Sequence, residues 1–190
     1  PFPIAIDADV NVALLGETRW GAGIGFTDLV YVTVGTGIGG GVLSNGKLVH
    51  GLIHPELGHM IIRHDIQTDP FEGICPFHKD CLEGLASGTS MTARWRTNPV
   101  QLPDNHPGWD LEAVYLAQMC LNLTLIISPQ RIIIGGGVPQ HVGLLENIRS
   151  RFQSLLNSYL VSPSFSEKIE SYIVPPMLGN HAGIFGAIAL

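Results

Sequence analysis

Charged residues are scarce in this sequence, making up 14% of 190 residues, against roughly 25% in an average domain. The 10 Lys and Arg are outnumbered by 16 Asp and Glu, and the net charge is −6. The basic stripe of a nucleic-acid-binding domain is therefore missing, and we expect no nucleic-acid partner. No apolar run approaches the roughly 18 residues of a membrane span, and no signal peptide is visible. These absences predict a cytoplasmic protein without a membrane partner.

Hydrophobic residues make up 45% of the chain, which excludes disorder. Short runs of β-branched and apolar residues predict strands at 3–9, 29–34, up to 43, from 48 onward, 57–63, 131–134 and 172–174. Helical spacing of apolar residues predicts helices at 11–20, 82–95, 109–127, 142–160 and 182–190. Hairpin-linked strands followed by alternating helices and strands indicate a single α/β domain with a mixed sheet.

Glycine is abundant, with 23 residues that cluster at 35–41 and 135–137. The first cluster lies between two predicted strands, where successive N–H groups form an anion-binding concavity and Thr36 adds a hydroxyl. Five glycines in seven residues exceed the needs of a turn, which favours a nucleotide phosphate over an empty hairpin. The second cluster precedes a helix, whose N-terminus favours anions, but a bare strand-to-helix turn explains it equally well.

The three cysteines are too few for a disulfide framework, and two of them lie close together. Two sulfurs and two imidazoles make the four-ligand set of a structural zinc site: His59, Cys75, His78 and Cys81. His64 and His54 are alternatives to His59 as the fourth ligand. Because four protein ligands leave no open position, we expect the metal to have no catalytic role. The competing interpretation is a chance grouping of thiols and imidazoles.

Several carboxylates lie beside the glycine loop and the cysteine cluster: Asp7, Asp9, Glu56 and Glu83. A carboxylate at a strand end can act as a general base toward a hydroxyl, and several together can hold sugar hydroxyls. Taken singly, each is better explained as a surface acid or a helix cap, and Asp9 could cap the helix that starts near Asn11. Their common placement is what makes them candidate site residues.

Five motifs, taken in order, resemble those of the ROK family of sugar kinases and repressors. They are Val-Thr-Val-Gly-Thr-Gly-Ile-Gly-Gly-Gly at 32–41, Pro-Glu-Leu-Gly-His at 55–59, the cysteine cluster ending in Cys-Leu-Glu at 81–83, Ile-Gly-Gly-Gly at 134–137, and Leu-Gly-Asn-His-Ala-Gly at 178–183. The resemblance covers nearly the whole chain. The Cys-x2-His-x2-Cys spacing and the segment Asp-Ala-Asp-Val-Asn at 7–11 are similar to the bacterial ROK fructokinases.

This resemblance implies an actin-like, ribonuclease H-like α/β fold and an ATP-dependent hexose kinase, most closely one for fructose. It implies that Asp9 is the general base toward the 6-hydroxyl of the sugar, and that the sugar is bound by Asn11, Glu56, His59 and Glu83. His59 would also be a zinc ligand through its other ring nitrogen. The resemblance further implies that ATP, with Mg²⁺, is bound by Gly35, Thr36, Gly37, Gly135, Gly136 and Gly137.

The sequence also departs from the family pattern. The N-terminal lobe of the family's kinases, with its Asp-x-Gly-Gly-Thr-Lys phosphate loop, is not in these 190 residues. We therefore expect a C-terminal lobe, with a zinc-binding loop at about 59–81, that is not a competent kinase alone. Ala8 stands where many ROK glucokinases have Asn, and Gly88-Thr89 stands where Gly-Pro is common.

Alternatives within the family are a sugar-sensing transcriptional regulator and a kinase for glucose, mannose or an N-acetyl hexosamine. A purely structural zinc module is a third possibility, and it leaves the second glycine cluster unexplained. The retained Asp9 and glycine loop favour a kinase over a sensor. The resemblance also implies a homodimer.

Overall fold

A five-stranded mixed sheet forms the centre of the protein, whose computed structural model describes residues 4–190. The strands are β1 (Leu29–Val34), β2 (Ile38–Ser44), β3 (Lys47–Leu48), β4 (Arg131–Gly135) and β5 (Ile173–Val174). Their order is β3-β2-β1-β4-β5. β1 pairs antiparallel with β2 and parallel with β4, so the hairpin half and the crossover half of the sheet meet at β1.

Helices cover both faces of the sheet. They are α1 (Asp9–Trp20), α2 (Leu82–Ala86), α3 (Gly88–Trp95), α4 (Pro107–Ile127), α5 (Leu144–Leu156), α6 (Ile169–Tyr172) and α7 (Ala182–Ala189). One core lies between the sheet and the layer that contains α2, α4 and α5. A smaller core lies between the opposite face and the α1–α7 pair. The α/β class and the mixed sheet agree with the sequence analysis.

Strand β1 shows why its sequence has no polar face. Val30, Val32 and Val34 belong to the larger core, whereas Leu29 and Tyr31 belong to the smaller one. Since alternate side chains point to opposite faces of a strand, a strand between two helical layers needs apolar residues on both. The loops that follow β1 and β4 therefore start from a rigid, buried base.

Helix α4 is the longest element, with 21 residues, and by length and composition alone it could cross a membrane. Half of its most apolar 18-residue window is buried inside the domain, and Leu116, Met119 and Cys120 on it are fully buried in the larger core. Such a helix is typical of the centre of a domain, where an apolar surface on most sides is packed against neighbours.

The structure differs from the expected elements near the candidate site. Pro3 lies outside the described residues, and 4–8 form no strand, because among the described residues no neighbouring segment pairs with them. The expected helix at 82–95 divides at Ser87, whose extended backbone ends α2 and whose hydroxyl caps α3 by accepting the Ser90 N–H. The expected strand at 57–63 instead contains a 3₁₀ turn, Leu57–His59.

Candidate functional site

The loop between β1 and β2 has all three of its carbonyl groups occupied. The carbonyl of Gly35 accepts the N–H of Gly88, and that of Thr36 accepts the hydroxyl of Thr89, both at 2.7 Å. The carbonyl of Gly37 accepts the N–H of Gly35 at 2.9 Å. The N–H groups of Thr36 and Gly37 have no partner within residues 4–190. The loop therefore offers donors rather than acceptors, as an anion-binding turn must.

The other glycines of this cluster lie inside β2 and have a packing role. A Cβ at Gly39 would lie 3.3 Å from the Val10 side chain, and one at Gly41 would lie 2.6 Å from the Asn11 carboxamide oxygen. A Cβ at Gly40 would collide with Leu57. These residues are glycine because α1 and the 57–59 turn pack directly onto the strand. Their number is therefore not by itself a sign of phosphate binding.

The residues predicted to bind a nucleotide do not all line the same cavity. Gly35, Thr36 and Gly137 line a cleft of about 940 Å³ between the glycine loop, α3 and the segment after β4. Gly135 and Gly136 line a second cavity of about 480 Å³ instead. Gly37 lines neither of these two cavities, and its Cα faces the Glu83 carboxylate.

The predicted metal ligands do form a cluster. The candidate ligand atoms of His59, Cys75, His78 and Cys81 all lie within 4.8 Å of one another. The Nδ1 atom of His59 lies 3.7 Å from the Cys75 Sγ and 3.5 Å from the Cys81 Sγ, and the His78 Nδ1 lies 3.7 Å from the Cys75 Sγ. One metal ion could therefore contact all four residues.

These separations fit the geometry of tetrahedral zinc. Zn–S bonds of about 2.3 Å and Zn–N bonds of about 2.0–2.1 Å at tetrahedral angles place sulfur and nitrogen about 3.6 Å apart. Both rival histidines lie elsewhere. His64 is hydrogen-bonded to the Asp69 carbonyl and the Asp80 carboxylate, and His54 is not part of the cluster. His59, rather than His64 or His54, is therefore the fourth residue of the cluster.

A tight turn at 75–79 holds Cys75 in place, and Cys81 is held by a separate β-bridge to Ile61. The backbone groups of Cys75 and Lys79 bond to each other in both directions, and Lys79 adopts a φ of +59° to close the turn. Burial alone raises the pKa of the Cys75 thiol, but hydrogen bonds, chiefly from the backbone N–H groups of His78 and Phe77 and also with the Cys81 and His78 side chains, lower it to about 6. Burial raises the pKa of the Cys81 thiol. The thiolate, which is the metal-binding form, is thus favoured at Cys75.

Glu83 lies between the cluster of candidate metal ligands and the glycine loop. One oxygen of its carboxylate accepts the N–H of Ile38 at 2.8 Å, directly after the loop. The other lies 3.9 Å from the Nε2 atom of His59, and the two side chains are 30% and 29% exposed. His59 therefore presents one ring nitrogen to the metal cluster and the other to a partly open space beside Glu83.

The remaining predicted sugar ligands are placed differently. Glu56 is exposed and immediately precedes the 3₁₀ turn that carries His59. Asp9 is exposed in the first turn of α1. Asn11 is fully buried, and its amide donates to Asp7 at 2.8 Å. Although burial tends to raise the Asp7 pKa, the bonds from Asn11 and His50 lower it. Contact of these residues with a sugar stays a prediction.

Several residues of the larger cleft were not predicted from sequence. Thr89, Asn98, Gln140 and His141 line it, and the His141 ring stacks on Trp109 at 3.7 Å between centroids. Gln140 lies in a short 3₁₀ segment and Asn98 immediately precedes another. Each segment contains a proline, and no periodic pattern marks a ligand-facing side chain there. The proline-rich composition at 97–107 indicated only that a helix ends there.

The ROK family model matches residues 1–190 of the sequence. The chain belongs to the ROK family. It is 44% identical over 189 residues to a putative fructokinase of Bacillus subtilis (strain 168), covering 100% of this chain and 63% of the relative. It is 48% identical over 191 residues to a fructokinase of Zymomonas mobilis, covering 99% and 62%. The chain thus spans less than two thirds of the length of these curated relatives.

Solved ROK structures share the fold. A ROK hexokinase from Thermus thermophilus matches with a TM-score of 0.78 and 26% identity, over 97% of this chain and 63% of that one. A ROK family glucokinase from Streptomyces griseus, solved with glucose and AMPPNP, matches with a TM-score of 0.75 and 26% identity, over 97% and 67%. The expected actin-like α/β fold is confirmed.

Proposed function

We propose that this chain is the C-terminal lobe of an ATP-dependent hexose kinase that converts fructose to fructose 6-phosphate. The fructokinase names of relatives at 40–48% identity support the substrate. Because the chain covers about 62–63% of those relatives, the activity is proposed for the protein that contains this lobe. A cytoplasmic location and a homodimer belong to the same proposal, supported by the family resemblance.

The position of His59 is the observation that carries this proposal. Its Nδ1 atom belongs to the metal cluster, and its Nε2 atom is turned toward Glu83. A neutral imidazole bound to a metal through one nitrogen keeps an N–H donor on the other. An N–H donor and a carboxylate acceptor side by side suit a sugar hydroxyl, which both donates and accepts. We propose that Glu56 and Asn11 add further contacts to the sugar.

We propose that the metal is zinc and that its role is structural. The sulfur–nitrogen separations of 3.5–3.7 Å and the two-thiolate, two-imidazole donor set fit zinc. His59, Cys75, His78 and Cys81 would hold it, leaving no position for substrate. What the ion supplies is a fixed orientation of the His59 ring and of the loop that joins it to Glu83.

We propose that the glycine loop and the 135–137 turn hold ATP, with Mg²⁺ neutralising its phosphates. Phosphoryl transfer depends mainly on positioning and charge stabilisation around an in-line attack. The N–H groups of Thr36 and Gly37 supply donors for phosphate oxygens. Asp9 would accept the proton of the sugar 6-hydroxyl as that oxygen attacks the terminal phosphorus, and the bond to ADP breaks. Its exposed position on α1 leaves it accessible to such a substrate.

The test measures ADP release over a panel of hexoses, using the protein with any sequence that flanks these 190 residues in its gene. Fructose should give the highest kcat/KM, and Asp9→Asn should lower kcat by at least about a hundredfold, the usual scale for a general base. Glu167→Gln, which neutralises an exposed carboxylate outside both cavities, is the matched control and should behave as wild type.

Other outcomes distinguish the alternatives. Higher kcat/KM with glucose, mannose or an N-acetyl hexosamine would retain a kinase but replace its substrate. If no hexose supports ADP release while sugars still protect the protein against heat, the kinase proposal is wrong and a sugar sensor is favoured. The absence of both ADP release and protection by sugar would favour a structural zinc module.

A further inference from the structure

The N-terminus of α3 is attached to the glycine loop by two hydrogen bonds. The first is a backbone bond from Gly88 to Gly35, and the second runs from the Thr89 hydroxyl to the Thr36 carbonyl, each 2.7 Å long. Within residues 4–190, Thr89 is the one side chain that bonds to a carbonyl of the loop 35–37. Thr89 also lines the larger cleft and is exposed there.

We propose that Thr89 is a positioning residue for the nucleotide phosphates, a role that rests on the proposed kinase function. In a planar trans peptide, the carbonyl and the following N–H point in opposite directions. By holding the Thr36 carbonyl toward α3, the Thr89 hydroxyl fixes the direction of the Gly37 N–H. A flipped peptide would expose a carbonyl oxygen where the loop offers a donor, and that oxygen would repel a phosphate.

The loop cannot impose this orientation by itself. Thr36 lies between Gly35 and Gly37, and glycine has no Cβ to restrict its backbone. A Cβ at Gly35 would meet no atom within 4 Å, so no neighbouring side chain restrains that side either. The anchoring bonds from α3 and the internal Gly35–Gly37 bond are therefore what defines the loop. Thr89 contributes the bond that a single side-chain change can remove.

The chain offers a set of nearly isosteric variants for a test. Thr89→Val removes the hydroxyl and keeps the shape, and Thr89→Ser restores a hydroxyl without the methyl group. Thr18→Val is the matched control, because the Thr18 hydroxyl also donates to a backbone carbonyl, that of Leu14 at 2.7 Å. Thr18 lies near the end of α1 and lines neither cavity.

The experiment measures calorimetric binding of ATP and of adenosine, which has no phosphate, to the full-length protein without sugar. Loss of one net hydrogen bond of about 1 kcal/mol corresponds to about fivefold weaker binding. Thr89→Val should weaken ATP binding about fivefold and leave adenosine binding unchanged. In the kinase assay it should raise KM for ATP more than KM for fructose. Thr89→Ser and Thr18→Val should bind ATP within about twofold of wild type.

The outcomes separate this inference from the proposed function. ATP binding by Thr89→Val at the wild-type affinity would overturn the positioning role alone. Equal weakening of ATP and adenosine would also overturn it, since a general distortion of the cleft would affect both ligands. Failure of Thr89→Ser to restore ATP binding would show that the hydroxyl is not the active group. A wild-type protein that binds no ATP would overturn the proposed function together with this inference.

Discussion

The candidate metal-binding loop, residues 59–81, is fastened to the helices by a buried ion pair, which can be removed with one substitution. The Asp69 carboxylate accepts hydrogen bonds from the Arg94 guanidinium at 3.1 Å and from the Tyr115 hydroxyl at 2.6 Å. The Asp69 and Arg94 side chains are 4% and 6% exposed. Arg94→Met keeps an unbranched apolar side chain near Phe71, above which the guanidinium lies 4.4 Å from the ring centroid. The change is therefore mainly electrostatic.

The expected loss is large because the remaining charge stays buried. Removing one partner of a buried pair costs about 3–5 kcal/mol, out of a total stability of about 5–15 kcal/mol for a domain. Asp69 would keep the bond from Tyr115, which is worth about 1.5–3 kcal/mol as a bond to a charged group. We therefore expect Arg94→Met to lower the free energy of unfolding by about 3 kcal/mol, the lower end of that range.

A double-mutant cycle measured by urea unfolding tests this value. Asp69→Asn should also be strongly destabilising, since it leaves Arg94 without its counter-charge. The free energy of unfolding of the double variant should fall by about 2 kcal/mol less than the summed losses of the two single variants. The matched control is the cycle of Arg151→Met and Asp110→Asn, an exposed pair 3.4 Å apart with side chains 37% and 69% exposed. Its coupling should not exceed about 1 kcal/mol. Additive effects at Asp69 and Arg94, within about 0.5 kcal/mol, would refute the reasoning.

Two further predictions concern stability. Burial raises the pKa of the Glu112 carboxyl well above its ordinary value, while Arg94 opposes the shift; folding therefore favours the neutral form, and stability is lost as pH rises above the ordinary carboxyl range. Glu112→Gln should be more stabilising, or less destabilising, at pH 8 than at pH 5 in urea midpoints, and an equal effect at both would contradict this. Gly41→Ala places a Cβ 2.6 Å from the Asn11 carboxamide oxygen and should lower the free energy of unfolding by about 1–3 kcal/mol. The control is Gly183→Ala, where a Cβ meets nothing within 4 Å, and the loss there should be less than about 1 kcal/mol. Similar losses for the two variants would exclude the steric explanation.

Elements with a local signal were predicted well from the sequence. β1 has six residues with apolar side chains on both faces, and α1, α4 and α7 lie within two residues of their expected positions. The metal cluster was also found, because its three central ligands are separated by only two residues each. In these cases the residues that carry the signal are neighbours in the chain, so their spacing is set by local geometry.

Features that depend on distant contacts could not be predicted. The glycines of β2 reflect the approach of Val10 and Asn11 on another element, and their excess was assigned to phosphate binding instead. Asp69 and Arg94 are 25 positions apart, and no periodic pattern relates them. The bond from Thr89 to Thr36 spans 53 positions. Such contacts exist only after the sheet and helices have assembled.

Helix α3 joins the two parts of the proposed site, since Thr89 near its start bonds to the glycine loop and Arg94 near its end bonds to the metal-binding loop. The Arg94–Asp69 pair uses none of the four metal ligands. Removal of the proposed zinc ion should therefore leave α3 and the glycine loop in place, while it frees the His59 ring. We expect a chelator to raise KM for the sugar at least tenfold, because the His59 ring would no longer be held in a fixed orientation; losses of this size are typical when groups around a metal site are removed. ATP affinity should stay within about twofold of that of the zinc-loaded protein. Readdition of zinc should restore KM. A parallel loss of ATP affinity would instead show that the metal, and not the buried ion pair, holds α3 in position.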